Sequence, residues 1–520
     1  MNARSLPPEW TDSTVKNGVD PLGMQNASVS KYQDLVPGIS NVTLRMRYYG
    51  LYAWLSDRYA RQVGVGNIET WKWHVRRAEL LYALVAQKKT GERGVAGTNW
   101  AHVALNQPTG TVDFAAGADP MAPNPYLRQE WGAYGGAYYS QLVATGVLTK
   151  ADGHPVPVPS EASGDRLARL FGDARAELGE TFFDVLTRGS VTHEELTRLA
   201  PLAPSAIPPD SQERAAYEDL LFCRMANTPA GDQNRKMTLI LLLQLANQMG
   251  SCPTSTDVRW SLYTGQLADG QPLQLHDPAL RAHRDRWWLY QLDDLCHMCL
   301  ESLLKYTLDI LEGYPIGLSM RELIAEATQR IADERQAPVD SWAQFTTGTA
   351  SAVGWGSSSE PATEYHRLER LLRSARPNAS VQAGDALNSL ELLVVLSQRA
   401  KADSAGFVTQ TAKSDNDGAR SIHTEMAFLD SVAQSPFKEV VASLIRDRVL
   451  HRHLWVALRK LRYQGEYTFL VETDEGRVRL RRKDGPVQTT PRLDTSIDFL
   501  KDIHLLDSKS ITDLGRRLIQ

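Results

Sequence analysis

Two short runs hold the residues best able to do chemistry. Cys296-His297-Met298-Cys299 offers two thiols and an imidazole within four positions. Structural zinc wants four such ligands, usually as two separated pairs. The remaining cysteines, Cys223 and Cys252, are isolated and distant. The run also lies in a helical pattern where Leu292, Leu295, Cys296, Cys299, Leu300 and Leu303 make one apolar stripe, so the thiols read as core residues. The second run, Glu472, Asp474 and Glu475, sets carboxylates beside Arg477, Arg479, Arg481, Arg482 and Lys483. A metal-dependent nuclease needs carboxylates around a cation, but a solvated hairpin tip gathers the same residues. His451 and His453 stand two apart on a helical stretch and point to different faces, which disfavours shared metal ligation. Gly64-Val65-Gly66 lacks the third glycine and the Lys-Ser/Thr of a phosphate-cradling loop. From these residues we expect no catalytic residue, no metal ligand and no cofactor.

Binding chemistry has more to work with. Between Arg446 and Lys483 there are eleven Lys or Arg against five carboxylates. A long basic helix carrying Arg459, Lys460 and Arg462 runs into a basic hairpin carrying Arg477, Arg479, Arg481, Arg482 and Lys483. Phosphate contact needs such a surface, and a merely solvated face fits the same run. Arg516 and Arg517 add cations near the end of the chain. Arg45, Arg47, Tyr48 and Tyr49 form an aromatic and cationic knot, either a polar pocket or partner surface, or a half-buried helix whose Arg heads meet carboxylates. The Trp71-Lys-Trp-His-Val-Arg76-Arg77 patch could stack bases, or bury its rings.

The elements that position these residues are mostly helices. Residues 1–38 are polar and punctuated by Pro and Gly, as in an extended arm or loop. Apolar spacing predicts helices over about 41–63, 71–89, 213–225, 234–248, 284–311, 319–332, 364–374, 386–400 and 435–461. Tyr467, Phe469 and Val471 alternate before Asp474-Glu475-Gly476, and Val478 and Leu480 after it, which predicts a hairpin. The last residues, Arg492 to Gln520, predict a helix over about 495–503, a polar corner at Asp507 to Ser510, and a capped helix from about Thr512 with Leu514 and Leu518 inward. That order suggests the end of a winged helix. Residues 126–171 share its logic, with a turn at Asp152-Gly153, and suggest a second such module. The expected fold is therefore mainly α and multi-domain, with a C-terminal winged-helix module.

Composition agrees with a globular chain. Of 520 residues, 42% are hydrophobic and 23% charged, which argues against bulk disorder. Pro-rich 200–211 and Gly/Ser-rich 347–361 suggest linkers, hence domains over 1–200, 212–346 and 362–520. A net charge of −4 argues against strong non-specific nucleic-acid binding by the chain as a whole. Four cysteines fit a reducing cytoplasm, and no apolar run is long enough for a membrane span.

One resemblance adds to this. Asp20-Pro21-Leu22-Gly23, then Pro37-Gly38-Ile39-Ser40-Asn41-Val42-Thr43, Arg45, Arg47-Tyr48-Tyr49 and Trp54, resemble a signature of uncharacterised bacterial proteins encoded in anti-phage defence islands. The stretch HRHLWVALRKLRYQGEYTF, from His451, is a second point of likeness. The resemblance implies a defence operon whose ATPase, nuclease or methylase is encoded separately, and it carries no catalytic residue over. The expected function is a non-catalytic subunit that contacts DNA, or a motor or nuclease partner, through winged-helix modules. The alternative is a metal-dependent nuclease effector of such a system.

Overall fold

Capped, apolar-striped helices carry most of this chain, and its strands are few and short. The computed structural model describes residues 20–520 apart from 90–91, 108–109, 151–153, 174–175, 227, 336–338, 350, 356–362, 377 and 403–420. Among the described residues, no helix is long and apolar enough to cross a membrane. The chain falls into two compact units. One comprises Val29–Tyr290, Gly354–Ser357 and Thr490–Gln520; the other comprises Met1–Ser28, Gln291–Val353 and Ser358–Thr489.

In the larger unit, helix Tyr48–Gln62 buries Tyr48, Tyr49, Leu51, Tyr52, Trp54 and Leu55 and packs along helix Gly164–Asp173. Helix Ile68–Lys89 buries most of its residues between Trp71 and Ala86. The region 126–171 contains helix Tyr139–Ala144, the antiparallel strand pair Leu148–Thr149 with Val158–Pro159, and then helix Gly164–Asp173. The turn expected at Asp152-Gly153 lies outside the described residues. The two terminal helices, Leu493–Asp502 and Asp513–Ile519, form as the spacing predicts. Thr512 caps the second by accepting from Gly515 N, and Leu506 and Ile511 bridge the corner. Their apolar faces, with Ile497, Phe499 and Leu500, belong to the larger unit's core.

The three expected domains therefore give way to two units. The Pro-rich stretch 200–211 is not a linker: Leu202, Ala203 and Ile207 are buried in the core, and the carbonyls of Pro201 and Ala203 accept from Arg47. Within the expected N-terminal arm, residues 1–19 lie outside the description, while Gln25–Leu35 is helical and buries Leu35. Of the Gly/Ser-rich stretch 347–361, residues 350 and 356–361 lie outside the description; Trp355 is part of the larger unit and donates to the Gln266 carbonyl.

The smaller unit is built on Gln291–Glu312, the C-terminal part of helix Pro278–Glu312. Leu292, Leu295, Cys296, Cys299, Leu300 and Leu303 are all fully buried there. Burial pushes both thiols well above their ordinary range, so they are protonated apolar side chains. The chain then makes strand Leu318–Ser319. Ser319 starts helix Met320–Asp333 with a capping box: its hydroxyl accepts from Glu322 N, and Glu322 accepts from Ser319 N. Helices Trp342–Gly348, Glu364–Ser374, Ala383–Ala402 and Ile422–Ser431 follow. A long rod comes next: Phe437–Ser443, a π-helical segment Leu444–Leu450, and His451–Gln464. Gly465, in the left-handed region at φ 67°, ends it. The hairpin Val471–Asp474 and Arg477–Leu480 completes a three-stranded antiparallel sheet. Its second strand lies in the middle, with Val478 facing both Leu318 and Thr473.

Candidate nucleic-acid interface

Helix His451–Gln464 contains no acidic residue, and its two faces differ sharply. The inner face is held by the Asp20-Pro21-Leu22-Gly23 loop of the same unit. Asp20 caps a helix with Oδ1, accepting from Met24 N at 2.9 Å, while its own carbonyl accepts from Lys460 Nζ at 3.2 Å. His453 Nδ1 donates to the Pro21 carbonyl at 3.2 Å, and its Nε2 accepts from Leu470 N at 2.9 Å. Those two bonds fix a neutral tautomer. Arg452 reaches Glu425 at 2.7 Å. Within this unit the loop Asp20–Gly23 and helix His451–Gln464 are thus one structural device.

The outer face carries Trp455, Leu458, Arg459, Leu461, Arg462 and Tyr463, all exposed. Among the described residues, Arg459 and Arg462 make no ion pair. The Arg459 guanidinium lies 5.4 Å from the Trp455 ring centre, and that of Arg462 5.6 Å from Tyr463. Lys460, by contrast, is turned inward.

The hairpin forms as predicted, with Glu475 and Gly476 both at positive φ (48° and 76°). This is the two-residue turn that matches strand twist. Its cations are not the free phosphate donors that the sequence suggests. Arg479 pairs with Asp474 at 2.9 Å and Arg481 with Glu472 at 3.0 Å. Lys483 meets Asp309 at 2.7 Å and also Glu312, and Arg482 stands 3.8 Å from Asp484. Arg477 donates to the Gly317 carbonyl at 3.1 Å. The cause is register: Glu472 faces Arg479 and Asp474 faces Arg477 across the ladder, so long side chains pair on the diagonal. Arg516 and Arg517 belong to the other unit, where Arg516 pairs with Asp513 at 2.8 Å.

The knot at Arg45 to Tyr49 is interior and is not a partner surface. Arg47, Tyr48 and Tyr49 are buried. Arg47 grips Glu213 with two 2.8 Å bonds. Arg45 bridges Glu92 and Asp502, each at 2.9 Å. Gly38, at φ 74°, has no room for a side chain: a Cβ there would stand 2.7 Å from Arg235 Nη1 and collide with Thr145. Trp71 and Arg76 are likewise buried, and Trp73 lies under Arg77 at 3.7 Å. Gly38, Arg45, Arg47, Tyr48 and Tyr49 are thus scaffold. Basic content alone does not pick out the outward rings; a helical wheel of 451–464 separates them from Val456 and Ala457, which are buried. Among the described residues, no group of three or more His, Cys, Asp or Glu is placed to hold a metal.

Buried histidines give these scaffolds a pH dependence. Burial lowers His453 to about 4 and, in the larger unit, His283 to about 3, from about 6.5 when unfolded. As pH falls below about 6.5 the unfolded chain takes up protons that the fold refuses, so stability falls. His297 acts in the opposite sense. Its burial opposes the charge, but Glu301 and Asp294 outweigh it and raise the ring to about 10. Nε2 lies 3.0 Å from Asp294 and Nδ1 3.5 Å from Glu301. That stability is complete below about 6.5 and is lost as pH rises through about 10. The urea midpoint should therefore peak near neutrality and fall on both sides. A flat midpoint from about 4 to about 10 would contradict these assignments.

No protein family, curated protein or solved structure matches the chain.

Proposed function

We propose that this chain is a non-catalytic subunit of a bacterial anti-phage defence system, contacting DNA through a winged-helix module in the smaller unit. The order of the three-stranded sheet carries this reading. Helix Gln291–Glu312, strand Leu318–Ser319, helix Met320–Asp333, the rod ending in His451–Gln464, and then the hairpin follow the sequence of a winged helix, with several helices inserted before the rod. The second hairpin strand lies between the other two, as in that fold. The module so read is complete without the terminal helices, which belong to the other unit. The helix before the hairpin takes the place of the recognition helix, and among the described residues its outward cations, Arg459 and Arg462, make no ion pair. The resemblance of the signature supports the defence setting and a motor or nuclease partner.

Lys and Arg that touch phosphate release condensed counterions, so binding weakens with salt. Replacing Arg459 and Arg462 with Ala should lower affinity for labelled DNA. It should also flatten the salt slope by up to about 0.9 per lost contact on a duplex, or about 0.7 on a single strand. Anisotropy titrations across a salt series measure both, with circular dichroism to check folding. A folded double variant that keeps the wild-type affinity and slope would falsify the reading.

A further inference from the structure

Helix Gln291–Glu312 carries a polar stripe beside its apolar one. Asp294, His297, Glu301, Lys305, Asp309 and Glu312 recur every three or four residues, so they share one face. The chain leaving the hairpin runs along that face in the opposite direction. Lys483 meets Asp309 at 2.7 Å and also Glu312. A Cβ on Gly485 would stand 3.3 Å from Lys305 Cδ. Val487 N donates to Glu301 Oε2 at 3.2 Å. Thr489 gives Asp294 Oδ1 its N–H at 3.1 Å and its hydroxyl at 2.5 Å. From Lys483 to Thr489 is six residues of chain, and from Asp309 to Asp294 fifteen of helix. Extended chain and helix of those lengths each span roughly 20 Å, so the segment is a strap laid along the helix.

The middle rung holds more than the strap. Glu301 Oε1 also accepts from Gln25 Nε2 at 2.9 Å. Gln25 stands two residues past the loop Asp20–Gly23, which holds the inner face of helix His451–Gln464, and its own N–H donates to Asp20 Oδ1 at 3.3 Å. His297, buried like Glu301, sets one ring nitrogen 3.0 Å from Asp294 and the other 3.5 Å from Glu301. One cation thus sits between the two carboxylates that the strap uses. We propose that Glu301, held in place by His297, is the positioning residue of the candidate interface, fixing to one helix both the loop under helix His451–Gln464 and the strap beyond the hairpin. The proposal rests on the DNA-contact reading above and adds what aligns that surface. Both side chains are interior, so they act through the loop and the strap. Without the ring's charge, two buried carboxylates lose the cation between them, and one must take a proton or move. A move of Glu301 takes the acceptor from Gln25 and Val487 together.

The test uses the full chain with His297→Gln, which keeps a donor and removes the charge. Hydrogen exchange at the Val487 and Thr489 amides should speed up about tenfold or more, while helix Met320–Asp333 exchanges as in wild type. General destabilisation would speed both. Affinity for a labelled DNA duplex should fall roughly tenfold through lost pre-organisation. The salt slope should stay as in wild type, because Arg459 and Arg462 are untouched. Gln25→Glu, at a half-buried position, sets a second carboxylate against Glu301 and should act the same way. It decides the matter if His297→Gln does not fold, which circular dichroism checks. A folded variant with wild-type affinity, or with wild-type exchange at Val487 and Thr489, overturns the positioning role and leaves the DNA reading standing. A wild-type chain that binds no DNA overturns both.

Discussion

Replacing Glu213 with alanine should destabilise the protein by about 3–5 kcal/mol, since removing one member of a buried ion pair leaves the other charged and uncompensated. Arg47 is buried and spends its guanidinium on four acceptors: both oxygens of Glu213 at 2.8 Å, and the carbonyls of Pro201 and Ala203 at 2.8 and 2.7 Å. Tyr217 also donates to Glu213 at 3.0 Å. Two backbone carbonyls cannot neutralise a guanidinium, so Glu213→Ala strands a charge. Replacing both partners together, Arg47→Met with Glu213→Leu, should cost less than the two single losses combined, because neither charge then remains. Urea denaturation of the three variants measures this. A Glu213→Ala loss under about 1 kcal/mol would show that the pair is not buried as described.

The second large effect lies at Glu79, where the usual isostere should fail. Its Oε1 accepts from Tyr52 OH at 2.9 Å and Tyr134 N at 2.8 Å. Its Oε2 accepts from Tyr126 OH at 2.6 Å and Ala133 N at 2.8 Å. Each oxygen faces a backbone N–H, and a backbone N–H cannot turn into an acceptor. Glu79→Gln would put an NH2 group against one of them. Burial raises the Glu79 carboxyl and the four donors oppose that shift. Glutamine should therefore cost about 2 kcal/mol or more, and alanine about 4 or more, counting about 1–3 for each buried polar group left unpaired. Thermal denaturation compares them. A glutamine variant as stable as wild type would mean that one oxygen is protonated or that a donor lies elsewhere.

Much of the helical framework was legible. The helices near 71–89, 364–374 and 319–332, the hairpin and the two terminal helices sit close to where spacing and caps put them. Helix Gln25–Leu35 was not legible, because its sequence is polar, and its helical state shows in Asp20's cap and in the burial of Leu35. Helix Tyr48–Gln62 starts later than its apolar pattern, since the Thr43 hydroxyl bonds the Ser40 backbone and the Ser40 hydroxyl accepts from Val42 N in a local turn. For the candidate site, Arg459 and Arg462 were legible as cations. Lys460 reads as a third such cation in the sequence, but it lies inward on the Asp20 carbonyl.

What the sequence determined by itself is local: which residues are helical, where Ser319 and Thr512 start a helix, and which two residues turn the hairpin. These depend on interactions within a turn or two of chain. What only the tertiary structure decided is pairing across long separations. Asp502 answers Arg45, Glu213 answers Arg47, and Pro21 answers His453. Burial makes such partners obligatory, because an unpaired charge or donor in the interior is costly. Many carboxylates and carbonyls could serve, and only the packed chain selects one. The same packing turned Arg45, Arg47, Tyr48 and Tyr49 into scaffold, tied up the hairpin's cations and left Arg459 and Arg462 facing outward.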